Sequence, residues 1–343
     1  MKKIRLGIIG CGLMMKSHIA GIGAIDDVEL TACVDIILDH AKELAEDYPN
    51  AKVCTDWKDI VDDVDAVLIA LPHDLHYECG VFFARHKKHV LMEKPLCNTE
   101  EECKSLIDIC DEEGVVLMCA YPLRYRPGIL KMKELVDSGE FGKIMQISLW
   151  TEQLTKMPEG HWLTTARLGG GQFFSHGCHY VDLLMFFLGN PVQGTHFGTR
   201  IGTPWLRKEG TSIASFKFEN GALGYHGATW GSRGTHLAWN MQIITEKGLL
   251  EYDRTRIKLY NQNREHIPNG PVDMQKYEVI WEDAIASGKQ TQFEIEHFVD
   301  CIVNGKKPNT DGREAMKSLQ VIWKMYDAEK AGVIADLTDI KVR

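Results

Sequence analysis

The sequence has no long hydrophobic run and no excess of basic residues. Its apolar stretches fall well short of the roughly 20 residues that a membrane-spanning helix needs. Lysine and arginine total 39 against 48 aspartates and glutamates, for a net charge of −9. Domains that bind nucleic acid usually carry a basic face, so this balance argues against such a partner. We expect a soluble chain with neither membrane nor nucleic acid as its partner.

The sequence also lacks paired cysteines. None of its ten cysteines forms a C-x-x-C pair, and several lie inside apolar segments, where a thiol behaves as a small hydrophobic group. Scattered cysteines are typical of a reducing compartment, so we expect a cytoplasmic protein without disulfides. A zinc dehydrogenase is a weak alternative: His161, His176, Cys178 and His179 have no second ligand cluster, and tetrahedral zinc needs three or four convergent groups. We expect no metal.

The 343 residues contain no internal repeat and no low-complexity tract, and they suffice for two domains. Up to residue 121, strand and helix patterns alternate, which predicts a parallel sheet covered on both faces. The predicted strands are 3–9, 28–34, 52–54, 66–70, 89–92 and 115–120, and the predicted helices are 12–22, 38–48, 75–86 and 99–113. We therefore predict a dinucleotide-binding Rossmann domain over residues 1–121.

Consecutive strand patterns follow a helix at 127–137 and predict a large, mostly antiparallel sheet. These strands are 143–154, 194–201, 212–218, 222–230, 238–245, 248–253 and 256–260, with Asn220-Gly221 as a hairpin turn. Helices at 291–304 and 312–331 close the chain. The fold class is α/β: a Rossmann domain followed by an α+β domain at 122–343 for substrate binding and oligomerisation.

A glycine turn between the first two predicted strands carries the clearest motif. The strand at 3–9 leads into Gly10-Cys11-Gly12, and the next strand stops at Asp35. Gly10 allows the sharp turn, and Gly12 lets the backbone approach a pyrophosphate at a helix N-terminus. The third glycine of the G-x-G-x-x-G pattern is replaced by Met15. We expect the turn to bind a dinucleotide through Gly10, Cys11, Gly12, Leu13 and Met14.

Asp35 and its neighbours predict which dinucleotide binds. A carboxylate at this strand end accepts hydrogen bonds from the adenosine ribose and repels a 2′-phosphate. Ile36 and Ile37 follow, and no arginine is placed to receive that phosphate. We predict NAD rather than NADP, with Asp35 and Ile36 in the binding site.

Two later segments carry side chains suited to catalysis. Glu93-Lys94-Pro95 ends a buried strand at the sheet edge where ligands bind, and a lysine there can stabilise charge on a substrate oxygen. After a glycine triplet at 169–171, a predicted helix from Ser175 onward carries Ser175, His179 and Asp182 at helical spacing i, i+4, i+7, hence on one face. A histidine suits proton transfer to or from a hydroxyl.

The combination of these motifs resembles the glucose–fructose oxidoreductase / inositol dehydrogenase (Gfo/Idh/MocA) family. Further similarity lies in Leu71-Pro72-His73-Asp74-Leu75-His76, in Arg124-Tyr125-Arg126-Pro127 and in Glu296-His297-Phe298. The resemblance implies that Lys94 contacts the reacting oxygen, that His179 exchanges the proton, and that Asp35 holds the ribose. It also implies a cofactor site that includes Leu71, Pro72, His73, His76, Glu93 and Lys94. Members oxidise or reduce one secondary hydroxyl of a sugar, sugar derivative or cyclitol.

One position departs from the family pattern. Many members carry an aspartate four residues before the histidine, where this sequence has Ser175. The change removes a negative charge that would stabilise an imidazolium at His179. Asp182 can substitute in part by orienting the ring or by binding a hydroxyl, and His176 is a second candidate proton carrier. We therefore take Lys94, His179, Asp182 and Ser175 as the candidate catalytic residues.

The substrate site is less well defined. Aromatic faces beside polar groups suit sugar rings, and the candidate substrate-binding residues are Lys94, Arg124, Trp162, Ser175, His176 and His179. Three functions stay open at this stage. The first is an NAD-dependent dehydrogenase or reductase, the second a redox-neutral enzyme that oxidises a glycoside transiently before elimination or hydrolysis, and the third a non-catalytic dinucleotide-binding regulator. We expect a homodimer or homotetramer formed through an open sheet face.

Overall fold

A computed structural model of the chain describes residues 3–23, 25–165, 167, 169–260, 276–284 and 289–342. Two compact units divide it. The first contains Met1–Pro122, Met157–Cys178 and Gly288–Gln320, and the second contains Leu123–Lys156, His179–Ser287 and Val321–Arg343. The first boundary agrees with the predicted domain boundary at residue 121. The prediction placed all later residues in the second domain, whereas here two later segments belong to the first unit.

The first unit is built on a six-stranded parallel sheet. Its strands are β1 (Ile4–Ile9), β2 (Val28–Val34), β3 (Lys52–Cys54), β4 (Ala66–Ile69), β5 (His89–Glu93) and β6 (Leu117–Ala120), in the order β3-β2-β1-β4-β5-β6. Every residue of β4 and β6 is buried, as expected for parallel strands covered on both faces. The predicted Rossmann fold is confirmed, and the strand order reverses between β1 and β4, where ligands bind in such sheets.

Five helices belong mainly to this unit. They are α1 (Leu13–Ile22), α2 (Leu38–Leu44), α3 (His76–Arg85), α4 (Glu100–Glu113) and α7 (Gln292–Asn304). The intervening helices α5 (Pro127–Asp137) and α6 (Cys178–Leu188) belong mainly to the second unit. A capping box fixes the start of α4: Thr99 accepts from the Glu102 amide, and Glu102 accepts from the Thr99 amide. Gly114 ends α4 with φ 68°, a left-handed conformation that favours glycine.

The segment 288–320 completes the edge of the parallel sheet. Cys119 of β6 exchanges two hydrogen bonds with Thr310: its amide donates to the Thr310 carbonyl at 2.9 Å, and its carbonyl accepts from Thr310 Oγ1 at 2.8 Å. Tyr121 and Ser318 hydroxyls lie 2.7 Å apart. Nearly 200 residues separate these partners along the chain, so pattern reading alone could not join them.

The second unit contains a nine-stranded sheet. Its strands are β7 (Ile144–Glu152), β8 (Pro191–Thr199), β9 (Thr211–Phe218), β10 (Leu223–Thr229), β11 (Trp239–Thr245), β12 (Gly248–Tyr252), β13 (Arg256–Tyr260), β14 (Glu278–Glu282) and β15 (Ala335–Asp336), in the order β14-β13-β12-β11-β7-β10-β9-β8-β15. Only the β7–β10 pair is parallel, which confirms the mostly antiparallel prediction. The last helix, α8 (Gly312–Ala331), has the predicted bounds.

Side chains alternate across this sheet in a way that leaves one face open. In β9 every second residue is buried, while the others, including Ile213, face outward. Register places Phe197 opposite Ile213 on the same face, and Phe197 is 70% exposed. The predicted turn at Asn220-Gly221 joins β9 and β10, with Gly221 at φ 87°. No helix within the described ranges is long and apolar enough to cross a membrane.

Candidate functional site

The turn between β1 and α1 has the geometry that its glycines predict. Gly10 has φ +86°, and a Cβ there would lie 2.3 Å from the Ala70 carbonyl oxygen, so only glycine fits. A Cβ on Gly12 would meet nothing within 4 Å, and no side chain caps α1 at this end. The turn therefore presents open space before a helix N-terminus, an arrangement that fits the pyrophosphate of a dinucleotide.

Asp35 fixes this turn from the end of β2. Its Oδ2 accepts from the Cys11 amide at 2.8 Å, and its Oδ1 accepts from the Ile37 amide at 2.9 Å. Ile36 is 83% exposed and Leu13 80%, so apolar surface flanks the carboxylate. Each carboxylate oxygen has a second acceptor site, so a ribose hydroxyl can still bind. The role of Asp35 in ribose binding stays a prediction.

The segment Leu71–His76 is tied to the Glu-Lys-Pro segment by a buried histidine. His76 is fully buried, and its ring nitrogens face the carbonyls of Pro95 at 2.8 Å and Leu71 at 3.0 Å. Burial lowers the pKa of His76, so the neutral ring donates one of these bonds. The ring thus connects two stretches of backbone, and a contact between His76 and the cofactor stays a prediction.

His73 of the same segment lies among aromatic rings of the first unit. Its ring centroid is 4.8 Å from that of Trp162, in an edge-on arrangement, and 6.5 Å from that of Phe174. His73 is 4% exposed, and the neighbouring Asp74 accepts from Arg167 Nε. Trp162 therefore packs against the predicted cofactor segment, although we expected it in the substrate domain.

Lys94 follows the last residue of β5 and points at a backbone carbonyl. Its Nζ donates to the Ser175 carbonyl at 3.0 Å, and the lysine is half-buried. An ammonium has three donors, so this bond leaves others for a substrate oxygen. Lys94 thus contacts the backbone of Ser175, and the serine is buried, with 3% of its surface exposed.

The helix that carries Ser175 begins differently from the prediction. Residues Phe173–Gly177 form one π-helical turn, and α6 starts at Cys178. Regular i, i+4, i+7 spacing does not apply across a π turn, so the predicted common face for Ser175, His179 and Asp182 does not follow. His176 lies in this turn with its Nδ1 3.4 Å from Gln172 Nε2. Single π turns frequently occur at functional sites.

Arg124 and Asp182 form a buried ion pair within the second unit. Arg124 Nε donates to Oδ2 and Nη2 donates to Oδ1 of Asp182, both at 2.7 Å, and the side chains are 8% and 1% exposed. This bidentate geometry engages both carboxylate oxygens. The pair ties Asp182 to Arg124, and the predicted roles of Asp182 in orienting His179 and of Arg124 in substrate binding stay predictions. His179 is half-buried on α6.

A buried cluster in the first unit escaped the sequence analysis. His18 of α1 lies with Nε2 2.7 Å from Glu93 Oε1 and with Nδ1 3.7 Å from Glu294 Oε1 of α7. His18 and Glu294 are fully buried, and Glu93 is 6% exposed. One signal was available: Glu294, Phe298 and Cys301 recur at helical spacing, which places a carboxyl group on an otherwise apolar face.

The two carboxyl groups of this cluster respond oppositely to burial. Burial alone raises the pKa of Glu93, but the His18 hydrogen bond and the charges of His18, Lys94 and Lys289 lower it to about 2. Burial raises the pKa of Glu294 well above its usual value, and the Glu93 charge raises it further. At neutral pH Glu93 is therefore an anion, while burial favours the protonated form of Glu294.

Metal and disulfide chemistry are not indicated by the described residues. All ten cysteines are free. No three His, Cys, Asp or Glu side chains in the described part of the chain converge to hold a metal ion.

Sequence models of one family match both parts of the chain. Residues 4–121 match "Oxidoreductase family, NAD-binding Rossmann fold", and residues 129–251 match "GFO/IDH/MocA C-terminal domain". The chain belongs to the Gfo/Idh/MocA oxidoreductase family. Its Rossmann unit is of the NAD-binding kind, which confirms the predicted family and cofactor class.

Named relatives share about a quarter to a third of their aligned residues with this chain. The myo-inositol 2-dehydrogenase of Thermotoga maritima is 28% identical over 227 residues, which cover 64% of this chain and 67% of that protein. The 2,7-anhydro-N-acetylneuraminate hydratase of Mediterraneibacter gnavus is 28% identical over 210 residues, which cover 59% of this chain and 54% of that protein. The chain thus spans between half and two thirds of the length of these curated relatives.

A solved structure shares the fold over nearly the whole chain. The WlbA dehydrogenase from Bordetella pertussis, crystallised with NADH and UDP-GlcNAcA, superposes with a TM-score of 0.79 at 24% identity, over 98% of both chains. At this level of identity the likeness shows the fold alone.

Proposed function

We propose that this protein is an NAD-dependent oxidoreductase acting on a secondary hydroxyl of a sugar, sugar derivative or cyclitol. The observation that carries the proposal is the placement of two groups on one sheet edge. The glycine turn with open space at Gly12 follows β1, and the Lys94 ammonium follows β5, at the carboxyl ends of the same parallel sheet. The dehydrogenase relative named above supports this substrate class.

Each candidate residue has one chemical task in this proposal. Lys94 hydrogen-bonds the reacting oxygen and stabilises the negative charge that develops on it. His179 accepts the hydroxyl proton during oxidation and returns it during reduction. Asp35 holds the adenosine ribose and disfavours a 2′-phosphate, so NAD is preferred over NADP. Bound NAD supplies the hydride acceptor, so the alcohol becomes a ketone as NAD becomes NADH.

A redox-neutral reaction is the second candidate. Two observations favour it: a relative is named as a hydratase, and Ser175 stands where many family members carry an aspartate. In such a cycle the hydride removed from the substrate is returned to it after elimination or addition of water, with no net NADH. A non-catalytic regulator is the third candidate, and the presence of both Lys94 and His179 argues against it.

A substrate panel separates these three candidates. Sugars, cyclitols and glycosides are incubated with NAD and, in parallel, with NADP, while NADH absorbance and product are both measured. One NADH per ketone supports the dehydrogenase, and product without net NADH supports the redox-neutral cycle. Tight NAD binding with no product from any compound would contradict both enzymatic candidates.

Replacement of Lys94 tests the mechanism within that panel. We expect Lys94→Ala to lower turnover by about 10²–10³-fold while NAD still binds, because a charged donor to the developing oxyanion is lost. Lys88→Ala is the matched control: Lys88 also donates Nζ to a carbonyl, that of Val64 at 2.9 Å, but it precedes β5 at the opposite end of the strand. Wild-type rates in Lys94→Ala would remove this lysine from the mechanism.

We also propose a homodimer or homotetramer formed through the open face of the nine-stranded sheet. Ile213, Leu223 and Phe197 are between 48% and 70% exposed on this face. Exposed apolar side chains grouped on one sheet face are typical of a protein–protein interface. Light-scattering measurement of the molar mass tests the proposal, and a monomer of 38.8 kDa would refute it.

A further inference from the structure

Glu294 is a fully buried acidic residue that forms no ion pair with a lysine or arginine in the described part of the chain, which is unusual in a protein core. Both of its oxygens are buried and lack a hydrogen-bond partner among the described residues. His18 faces this carboxyl group, with its Nδ1 3.7 Å from Oε1. A buried polar group without a partner costs stability, so its retention calls for an explanation.

Close packing holds α7, which carries Glu294, against α1, which carries His18. A Cβ on Gly21 of α1 would lie 2.4 Å from the Cβ of Gln292, so the two helices meet where there is no side chain. Thr291 Oγ1 donates to the Ser17 carbonyl at 2.9 Å. These contacts lie on both sides of His18 along α1 and just before Glu294 at the start of α7, and they limit how far the two side chains can separate.

Hydrogen bonds continue from this pair to Lys94. His18 Nε2 meets Glu93 Oε1 at 2.7 Å, and Glu93 Oε2 accepts from the Lys94 backbone amide at 3.1 Å. Glu93 is the last residue of β5, so its carboxylate lies where the chain leaves the sheet. Each link connects a different element: α7, α1, the end of β5 and the lysine that follows it.

We infer that Glu294 and His18 are positioning residues for Lys94: Glu294 orients His18, His18 holds the Glu93 carboxylate, and Glu93 holds the Lys94 backbone. This inference rests on the proposed function only in giving Lys94 a catalytic role. The positional chain itself can be tested in the protein without substrate.

The proton positions follow from the chemistry of the three side chains. His18 Nε2 faces the Glu93 carboxylate, which can only accept, so Nε2 carries a proton and donates to Glu93. Nδ1 faces Glu294 Oε1, and a hydrogen bond between these two atoms, donated by either side, fixes the orientation of the ring. Closing the Nδ1–Oε1 distance by roughly 0.5–1 Å completes a hydrogen bond of ordinary length. The charged groups around the cluster are Glu93 and Lys94 at the end of β5 and Lys289 before α7.

Two glutamate variants test the first link. Glu294→Gln keeps the shape and a donor, whereas Glu294→Leu keeps the volume and removes the donor. The readout is hydrogen exchange of the Lys94 backbone amide, measured by NMR in the full chain with and without NAD. We expect exchange within about twofold of wild type in Glu294→Gln and at least about tenfold faster in Glu294→Leu, with amides of β4 unchanged. Glu296→Gln, an exposed site on the same helix, is the control.

Two histidine variants test the second link. The side-chain amide of Gln reaches the position of Nε2, whereas that of Asn reaches the position of Nδ1. We expect the Lys94 amide to exchange hydrogen nearly as slowly as in wild type in His18→Gln, and faster in His18→Asn. In wild type, nitrogen chemical shifts of His18 should report a proton on Nε2.

A stability measurement tests the neutral state of Glu294. The raised pKa of Glu294 means that folding loses stability as pH rises above its usual value of 4.5, where the unfolded chain ionises. Glu294→Gln should therefore raise the Tm at pH 7, with the gain vanishing below about pH 4.5. A merely space-filling role would make Gln and Leu equivalent in the exchange experiment.

Two results would overturn the inference. One is an unchanged exchange rate of the Lys94 amide in both Glu294→Leu and His18→Asn. The other is a uniform increase in amide exchange rates throughout α1, α7 and β4. Neither depends on finding a substrate. If the exchange results hold and Lys94→Ala retains full activity, the proposed function fails while the positional chain stands. Once a substrate is known, Glu294→Leu should lower kcat about tenfold with the KM for NAD unchanged.

Discussion

Each unit of this protein buries charged side chains, and the two units do so differently. In the second unit, Arg124 and Asp182 neutralise each other through two parallel hydrogen bonds of 2.7 Å. In the first unit, Glu93 pairs with His18, and burial raises the pKa of the neighbouring Glu294. The pair in the second unit joins two opposite charges to each other. The contacts in the first unit form a series that continues to the Lys94 backbone. Burial alone therefore does not tell whether a charged cluster supports the fold or directs a reactive group.

The largest expected effect on stability comes from breaking the Arg124–Asp182 ion pair. Asp182→Asn leaves the Arg124 guanidinium buried without an anion, which typically costs about 3–5 kcal/mol of folding free energy. Urea unfolding of the second unit, followed by intrinsic tryptophan fluorescence, measures the loss. The double variant Arg124→Met/Asp182→Leu removes both charges and should recover most of it. If Asp182→Asn lowers the folding free energy by less than about 1 kcal/mol, the two side chains do not form a buried ion pair in solution.

An intermediate effect is expected from Glu93→Gln. The pKa of Glu93 falls from 4.5 to about 2, and each pKa unit corresponds to about 1.4 kcal/mol, so the ionised form contributes about 3 kcal/mol to folding at neutral pH. This contribution is present above about pH 4.5 and is lost as pH falls towards 2. Tm measured from pH 7 to pH 3 should show a large difference between variant and wild type at pH 7 that narrows with acid. A constant difference at all pH values would contradict it.

The smallest effect is expected at the exposed pair Arg167–Asp74. These side chains are 42% and 37% exposed and 2.9 Å apart, so solvent screens their attraction. Arg167→Gln should change stability by less than about 1 kcal/mol, and added salt should reduce the difference further. A larger loss would mean that this pair, unlike other exposed pairs, fixes the segment 157–178 on the first unit.

Local patterns in the sequence predicted the regular elements well. Continuous apolar runs gave β1, β2 and β4 within one residue at each end, because parallel strands are buried on both faces. The hairpin at Asn220-Gly221 was predicted because few residue pairs adopt the required conformation. Two edge strands, β14 and β15, were missed, since short edge strands carry little periodic signal.

Contacts between distant segments could not be predicted from one sequence. Spacing placed Asp182 on a helical face but could not show that Arg124, 58 residues earlier, takes both of its oxygens. His18 and Glu294 are separated by more than 270 residues, and the π turn at 173–177 changes the spacing that a regular helix would give. The glycine turn and Lys94 were found because each is a local motif at a strand end.

The discontinuous composition of the first unit has a consequence for how the chain is made. The last strand of its parallel sheet ends at residue 120, but the partners of Cys119 and His18 that lie in 288–320 leave the ribosome long after that strand. Until then, Cys119 and His18 lack the contacts that Thr310 and Glu294 provide. A fragment ending at Pro122 should consequently be a poor folding unit, and efforts to produce the coenzyme-binding half alone should append the 288–320 stretch.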